Sequence, residues 1–156
     1  MAQFSPIIPY LSVSDAAGAI EFYKKAFGAK VSDVHTAPGS SKIMHSRVEV
    51  HSGGVFMLAD DFSVEFGTPC MTPPQALGGS PVTLHLHMED VDPFWERAVA
   101  AGATVTMPLA NQFWGDRYGQ IQDPFGHKWS LGQTIQRMSE EELSRGAEAA
   151  FPPTGA

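Results

Sequence analysis

The sequence has little cysteine, no long apolar run and few basic residues, which argues against several classes of protein. The chain of 156 residues contains one cysteine, Cys70, so it can form neither an internal disulfide nor a cysteine metal cluster. Its apolar stretches are all shorter than the ~20 residues that a membrane-spanning helix needs. Ten basic residues stand against 17 acidic ones, for a formal net charge of −7. This charge argues against nucleic acid as the main partner, because binding phosphates needs a basic surface.

The first residues also lack the basic region and apolar run that are typical of a signal peptide. We therefore expect a cytoplasmic protein that binds neither a membrane nor nucleic acid. The hydrophobic content of 43% is typical of a globular chain, and the length suits one domain or two small fused modules.

The first half of the chain predicts one strand, one helix and three further strands. The helix follows Ser14 or Asp15, either of which can cap its first turn, and it ends at Gly28. Along residues 43–50 the polar residues His45, Arg47 and Glu49 alternate with apolar or small ones, which indicates a strand with two different faces. The predicted strands are residues 7–13, 30–36, 43–50 and 55–59.

The second half repeats this order. Strands are predicted over 82–88 and 103–107, around a helix that Asp90 or Asp92 caps and Gly102 ends. A hairpin follows, in which the turn 123–126 joins strands over 118–122 and 127–131. The sequences around Gly28 and Gly102 match at an offset of 74 residues, which indicates an internal repeat.

The repeat predicts an α+β fold of two βαβββ modules in one chain. Each module would be a curved mixed sheet with a helix on its back, and the concave faces would enclose a shared cleft. We assign residues 5–62 to the first module and 82–133 to the second, joined by a linker over 63–81 that is rich in proline and glycine. Residues 134–156 form a tail in which Ser139 and Glu142 predict a capping box and a short helix.

Two sets of motifs carry a family resemblance over about residues 5–133. The first is Ala-Ile-Glu-Phe-Tyr-Lys-Lys-Ala-Phe-Gly-Ala at 19–29 with the strands at 43–46 and 55–60. The second is Gln-Phe-Trp-Gly-Asp-Arg-Tyr-Gly at 112–119 with Asp-Pro-Phe-Gly-His-Lys-Trp at 123–129. The chain resembles the vicinal oxygen chelate superfamily of glyoxalases, bleomycin resistance proteins and extradiol dioxygenases, and its PhnB-like branch most of all.

The resemblance implies a homodimer and a cleft, but the residues of this chain do not support the divalent metal site that is typical of the family. In the family, four strand positions supply the metal ligands, and by strand register they fall near Ile8, Met57, Thr83 and Ser130. None of these residues is a good ligand for a divalent ion. We therefore expect no cofactor, and a metal only if the site is rearranged.

Strand alternation predicts which side chains line the cleft instead. Thr83, His85 and His87 share one face of their strand, and the polar face of residues 43–50 would point inward as well. The aromatic segment 113–118 would form the rim, where Arg117 would pair with Asp116 or across an interface. The candidate ligand-binding residues are Tyr10, His45, Arg47, Glu49, His85, His87, Trp114, Arg117 and Tyr118.

Three roles for the histidines remain open at this point. The first is that they are hydrogen-bonded side chains of a polar cleft or dimer interface, and the second is that they bind a ligand. The third is that His45, Glu49, His85 and His87 form a displaced metal site. The leading prediction is a protein that binds a small molecule without a metal, with no catalytic residue assigned. The alternative is a metal-dependent lyase, isomerase or dioxygenase of the same superfamily, and a third possibility is a structural dimer without a ligand.

Overall fold

The computed structural model describes residues 7–153, without the side chain of Ser52. The ends of the predicted first module and tail, at residues 5–6 and 154–156, lie outside this range. The strands are β1 Tyr10–Val13, β2 Lys30–Thr36, β3 Ile43–Val50, β4 Gly54–Asp60, β5 Thr83–His87, β6 Thr104–Asn111, β7 Asp116–Gln122 and β8 Lys128–Thr134. The helices are α1 Ala16–Phe27, α2 Ser63–Phe66, α3 Pro74–Leu77, α4 Val91–Ala100 and α5 Glu140–Ala150, and a 3-10 turn spans His51–Gly53.

Helix α1 begins and ends where its sequence predicts. The carboxylate of Asp15 accepts a hydrogen bond from the backbone N–H of Gly18, so Asp15 is the cap. Gly28 closes the helix with φ of 61°, a left-handed conformation that glycine adopts without strain. Helix α4 differs from its prediction, because Asp90 precedes it without a side-chain capping bond. Asp92 does not cap α4 either, because its carboxylate binds Arg117.

The two sheets have the same strand order, which confirms the internal repeat. The order is β1-β4-β3-β2 in sheet 1 and β5-β8-β7-β6 in sheet 2. Strand β1 runs parallel to β4 in sheet 1, and β5 runs parallel to β8 in sheet 2, while the other neighbouring strands are antiparallel. Strand β1 begins three residues later than predicted, at Tyr10, and β6 extends four residues further, to Asn111.

The core lies between the two sheets and joins both modules. Helices α1 and α4 contact each other there. Tyr23 of α1 packs edge-on against Phe56 of sheet 1 and Trp129 of sheet 2, with ring centroids 5.0 and 5.6 Å away. Phe56 and Trp129 also touch each other directly, at 5.4 Å. The helix-facing sides of the two sheets therefore share one apolar core.

The carboxylate of Asp123 holds this core together at its polar centre. It is buried, and it accepts hydrogen bonds from the Tyr23 hydroxyl at 2.6 Å and from the Trp129 indole at 2.9 Å. The backbone N–H groups of Phe125 and His127 donate to its other oxygen. Each oxygen of Asp123 thus accepts two hydrogen bonds, and one of the four, from Tyr23, crosses the boundary between the modules.

The two sheets are not closed around one cleft within the chain. Phe56 and Trp129 point into the common core, and alternate residues of a strand point to opposite faces, so Met57 and Ser130 point away from it. The polar face of sheet 1 and the polar face of sheet 2 therefore lie on opposite sides of the core. The predicted α+β fold of two βαβββ modules is confirmed, but a cleft that both modules share needs a second chain.

The linker and the tail both contain helix. Two one-turn helices, α2 and α3, interrupt the linker, where the sequence shows no periodicity. In the tail, Ser139 and Glu142 form the predicted capping box at the start of α5. Among the described residues, no helix combines the length and apolar character that crossing a membrane requires.

Candidate functional site

The polar face of sheet 2 carries a depression of about 610 Å³, which we call the sheet 2 pocket. Strands β5, β7 and β8 form its floor, and the turn before β7 forms one wall. The lining side chains that carry its chemistry are His85, Trp114, Asp116, Tyr118, Gln120 and Ser130.

His85 lies on the floor of this pocket and is held on two sides. Its Nδ1 lies 2.8 Å from the hydroxyl of Ser130, the residue directly beside it on β8. Its ring stacks on Tyr118, with centroids 5.9 Å apart and planes 23° from parallel. Gly132 makes room for this stack, because a Cβ at that position would come within 2.9 Å of the His85 ring. Among residues 7–153, no hydrogen-bond partner engages Nε2 of His85.

The surroundings of His85 favour its neutral form. Burial lowers the pKa of His85 below 6.5, the nearby His87 lowers this pKa further, and Asp116 opposes the shift by raising it. The ring of His87 lies 5.8 Å from that of His85, and its Nε2 lies 3.3 Å from the Thr134 hydroxyl. At neutral pH, His85 is thus an uncharged hydrogen-bonding group whose Nε2 is available to a ligand.

Trp114 forms the aromatic wall of the pocket. Its indole N–H donates to Asp116 at 3.2 Å, and its ring lies edge-on to Tyr118 at 5.5 Å. Gln120 donates to the Tyr118 hydroxyl at 3.0 Å. The wall and floor together offer ring faces for stacking and amide, hydroxyl and imidazole groups for hydrogen bonds.

Arg117 does not belong to this pocket. It follows Asp116 and precedes Tyr118 on β7, so its side chain points to the other face of the sheet. There its guanidinium binds both carboxylate oxygens of Asp92, at 2.7 and 2.6 Å. The prediction that Arg117 pairs with Asp116 is therefore wrong, because strand alternation separates the two side chains.

The polar face of sheet 1 holds the remaining candidates. The hydroxyl of Tyr10 lies 2.9 Å from Nδ1 of His45, and Arg47 donates to Glu49 at 3.2 Å. The ring of His35 stacks on His45 at 6.1 Å. The sequence does not indicate His35, because only the pairing of β2 with β3 places it beside His45. Gln120 in the pocket of sheet 2 is likewise absent from the predicted residues, although it alternates in phase with Tyr118.

The register shows that corresponding positions of the two sheets carry related side chains. Tyr10 lies beside Met57 in sheet 1, as His85 lies beside Ser130 in sheet 2. His45 and Tyr118 occupy equivalent places on the neighbouring strands. Each sheet thus holds one tyrosine and one histidine in contact, with the two residue types exchanged between the modules.

The same register corrects the expected metal positions. The residues beside Met57 and Ser130 are Tyr10 and His85, two residues further along than Ile8 and Thr83. His85 is the only one of these four that favours a divalent ion. Within the described part of the chain, no group of three or more histidine, cysteine, aspartate or glutamate residues could hold a metal ion. The rearranged set of His45, Glu49, His85 and His87 is divided between faces on opposite sides of the core.

The fold and the pocket define a class, namely a duplicated βαβββ protein with a ligand-sized pocket on an open sheet. Residues 4–131 match the family model of the Glyoxalase/Bleomycin resistance protein/Dioxygenase superfamily, and the chain belongs to this family. Uncharacterized proteins of Mycobacterium tuberculosis and Mycobacterium bovis are 47% identical to it over 136 residues, which is 86% of this chain. The match covers 78% of the first protein and 87% of the second.

Solved structures agree on the fold. TioX from Micromonospora sp. ML1 is similar with a TM-score of 0.62 and 24% identity, over 86% of this chain and all of TioX. A Bacillus cereus protein described as a putative 3-demethylubiquinone-9 3-methyltransferase, PhnB protein, has a TM-score of 0.60 and 18% identity, over 83% of this chain and 99% of its own. At these identities the likeness concerns the fold alone.

Proposed function

We propose that this protein binds a small molecule in the sheet 2 pocket, without the divalent metal that many members of its superfamily use. The observation that carries the proposal is His85, which lines the pocket and whose Nδ1 is fixed by Ser130, while no hydrogen bond from the described residues engages its Nε2. The volume of about 610 Å³ lies within the range of roughly 300–1,000 Å³ that is typical of ligand pockets.

The chemistry of the lining indicates the class of ligand. Trp114, Tyr118 and His85 present ring surfaces, and Gln120 and Ser130 add an amide and a hydroxyl. Stacking on aromatic rings favours a flat, unsaturated ligand. The neutral His85 suits a ligand with a hydrogen-bonding substituent, because an uncharged imidazole offers one donor and one acceptor, and the carboxylate of Asp116 adds a further acceptor.

We further propose that the protein is a homodimer in which sheet 1 of one protomer stands beside sheet 2 of its partner. Strands β1 and β5 are edge strands, each with one neighbour in its described sheet. Exposed edge strands favour pairing with another chain. Such a dimer would bring Tyr10, His45, Arg47 and Glu49 of one protomer to the pocket around His85 of the other. It would thus form two composite binding sites, each built from sheet 1 of one protomer and sheet 2 of its partner, which we call cups.

The PhnB-like branch and a cytoplasmic location stay predictions. The similarity to the Bacillus cereus PhnB protein supports the branch through the fold alone. No arrangement of the described residues favours the metal-dependent lyase, isomerase or dioxygenase, so that alternative enters here only as an outcome of the test.

A compound screen by thermal shift, on protein purified without chelator and analysed for metal, tests the proposal. We expect a flat, polar-substituted compound to raise the melting temperature of the wild type, and His85→Ala and Trp114→Ala to abolish this shift. His51→Ala, which removes a histidine outside the pocket, should keep it. If no compound shifts the wild type, or if both pocket variants keep the shift, the proposal fails. A stoichiometric divalent metal that is lost in His85→Ala would instead establish the metal-dependent alternative.

A further inference from the structure

The segment 61–71 forms a loop whose two ends meet at strand β1; we call it the linker loop. The backbone N–H of Asp61 donates to the carbonyl of Val13 at 3.2 Å, and the hydroxyl of Ser12 donates to the carbonyl of Met71. Compact surface loops with neighbouring ends usually fill their interior with their own side chains and are often functional. Here the loop is anchored at both ends on adjacent residues of one strand.

Lys42 fixes the first half of the linker loop against sheet 1. Its ammonium group donates to the carbonyl of Asp61 at 2.8 Å and to the carboxylate of Glu65 at 2.6 Å. It also lies over the ring of Phe62, 5.2 Å from its centroid. The loop is therefore held at three places, and the gap that it leaves over the sheet is part of its folded shape.

This gap is an apolar cavity of about 460 Å³, which we call the loop cavity. The linker loop contributes Phe62, Phe66 and Met71 to its lining, and sheet 1 contributes Met44 and Ala59. Its volume lies in the range of roughly 300–1,000 Å³ that is typical of small-molecule sites. The cavity is separate from the sheet 2 pocket, with which it shares no lining residue.

The polar groups at the loop cavity are already used within the chain. Asp60 accepts hydrogen bonds from the backbone N–H groups of Ala16 and Ile43, one on each carboxylate oxygen. Glu65 is engaged by Lys42. A charged or strongly polar ligand would therefore lose its hydration without gaining partners, which is unfavourable.

Apolar side chains of the linker loop are turned outward at this place. Phe66 is 68% exposed although it lines the cavity, and Val64, two residues earlier, is 87% exposed. The linker loop has apolar side chains that could fill the cavity, but these side chains are exposed and the cavity stays open. An apolar molecule seated in the cavity would remove the surrounding apolar area from water, which stabilises the complex.

We propose that the loop cavity binds a small, neutral, apolar molecule, and that the linker loop is the wall that retains it. This is a second site, independent of the sheet 2 pocket. Cys70 lies in the lining and is exposed, so its thiol can report occupancy. A molecule in the cavity would shield this thiol from a reagent in solution.

The test measures binding of N-phenyl-1-naphthylamine, a neutral probe that fluoresces in apolar surroundings, together with the rate at which Ellman's reagent modifies Cys70. We expect saturable binding of the probe to the wild type. At about ten times its Kd, modification of Cys70 should slow about tenfold, because the rate follows the unoccupied fraction. Ala59→Leu and Ala37→Phe both place side-chain volume in the cavity lining and should abolish the probe's effect.

Two controls separate the proposal from other outcomes. Ala76→Phe adds the same ring at an exposed linker position outside the cavity lining and should behave as the wild type. Trp114→Ala alters the sheet 2 pocket and should leave protection of Cys70 unchanged. The proposal is overturned if the probe leaves the rate at Cys70 unchanged, or if either filling variant melts as the wild type does and still binds the probe. It is also overturned if raising the protein concentration alone protects Cys70, since a second copy would then occupy the cavity.

Discussion

At the scale of single residues, strand alternation explains both what the sequence predicts well and where its prediction fails. His85 and His87 lie on one face of β5, and His45, Arg47 and Glu49 lie on one face of β3, as the period of two predicts. The same rule excludes Arg117 from a site with Tyr118, because neighbours along a strand point to opposite faces.

Asp123 shows what a single sequence cannot reveal. Its place in an Asp-Pro-Phe-Gly turn predicts a local role, and its backbone contacts to Phe125 and His127 fulfil that role. Its other oxygen binds Tyr23, 100 positions earlier in the chain. Nothing local in the sequence indicates this second partner, since only the packing of the two modules brings it close.

Removing the Tyr23 hydroxyl tests this contact. We expect Tyr23→Phe to lower the free energy of unfolding by about 1–3 kcal/mol, because a buried carboxylate loses one of its hydrogen-bond donors while the ring contacts remain. Urea unfolding of the purified variant measures the change. Tyr118→Phe is the matched control, because its hydroxyl lies in the open pocket. Equal stability of Tyr23→Phe and the wild type would contradict the assigned role.

At the scale of elements, amphipathic periodicity and capping residues predict α1 and the start of α5, whereas nothing in the sequence indicates where α5 packs. The structure seats α5 against the turn that carries Trp114. Gly146 faces Phe113 so closely that a Cβ there would lie 2.8 Å from its ring. Phe113 in turn lies edge-on to Trp114 at 5.2 Å. The tail helix therefore backs the aromatic wall of the sheet 2 pocket.

Adding a methyl group at Gly146 tests this packing. In an exposed helix, replacing glycine by alanine stabilises by about 1 kcal/mol. We expect the opposite sign for Gly146→Ala, a loss of up to about 2 kcal/mol, because the added Cβ overlaps Phe113. Urea unfolding gives the sign, and faster proteolysis within α5 locates the effect. Ser144→Ala, at an exposed position of α5, should not destabilise. A higher stability for Gly146→Ala would show that α5 does not rest on Phe113.

At the scale of the whole molecule, the repeat predicts two modules but not which faces of them meet. Both helix-facing sides are apolar and both open faces are polar, so each module alone is consistent with either arrangement. The arrangement is determined by the contacts among Tyr23, Phe56 and Trp129, because they place the helix-facing sides of both sheets in one core. A cup built from both sheets therefore requires residues of two chains.

Mixing two variants that each lack one binding residue tests whether a cup is shared between protomers. We expect His85→Ala and His45→Ala each to lose binding of the compound found by thermal shift. After subunit exchange, an equal mixture should regain about a quarter of the wild-type capacity, because half of the dimers are mixed and each mixed dimer has one intact cup. Calorimetric titration measures the capacity. No recovery, or normal binding by His45→Ala alone, would contradict a shared cup.

The exchange of tyrosine and histidine between the sheets has a consequence for how a ligand would lie. A cup with identical halves would accept a molecule in two equivalent poses. In the proposed dimer, one half of each cup would present Tyr10 with His45 and the Arg47–Glu49 ion pair, and the other half would present His85 with Tyr118 and Gln120. The two halves would therefore differ, and a bound molecule would have one preferred orientation.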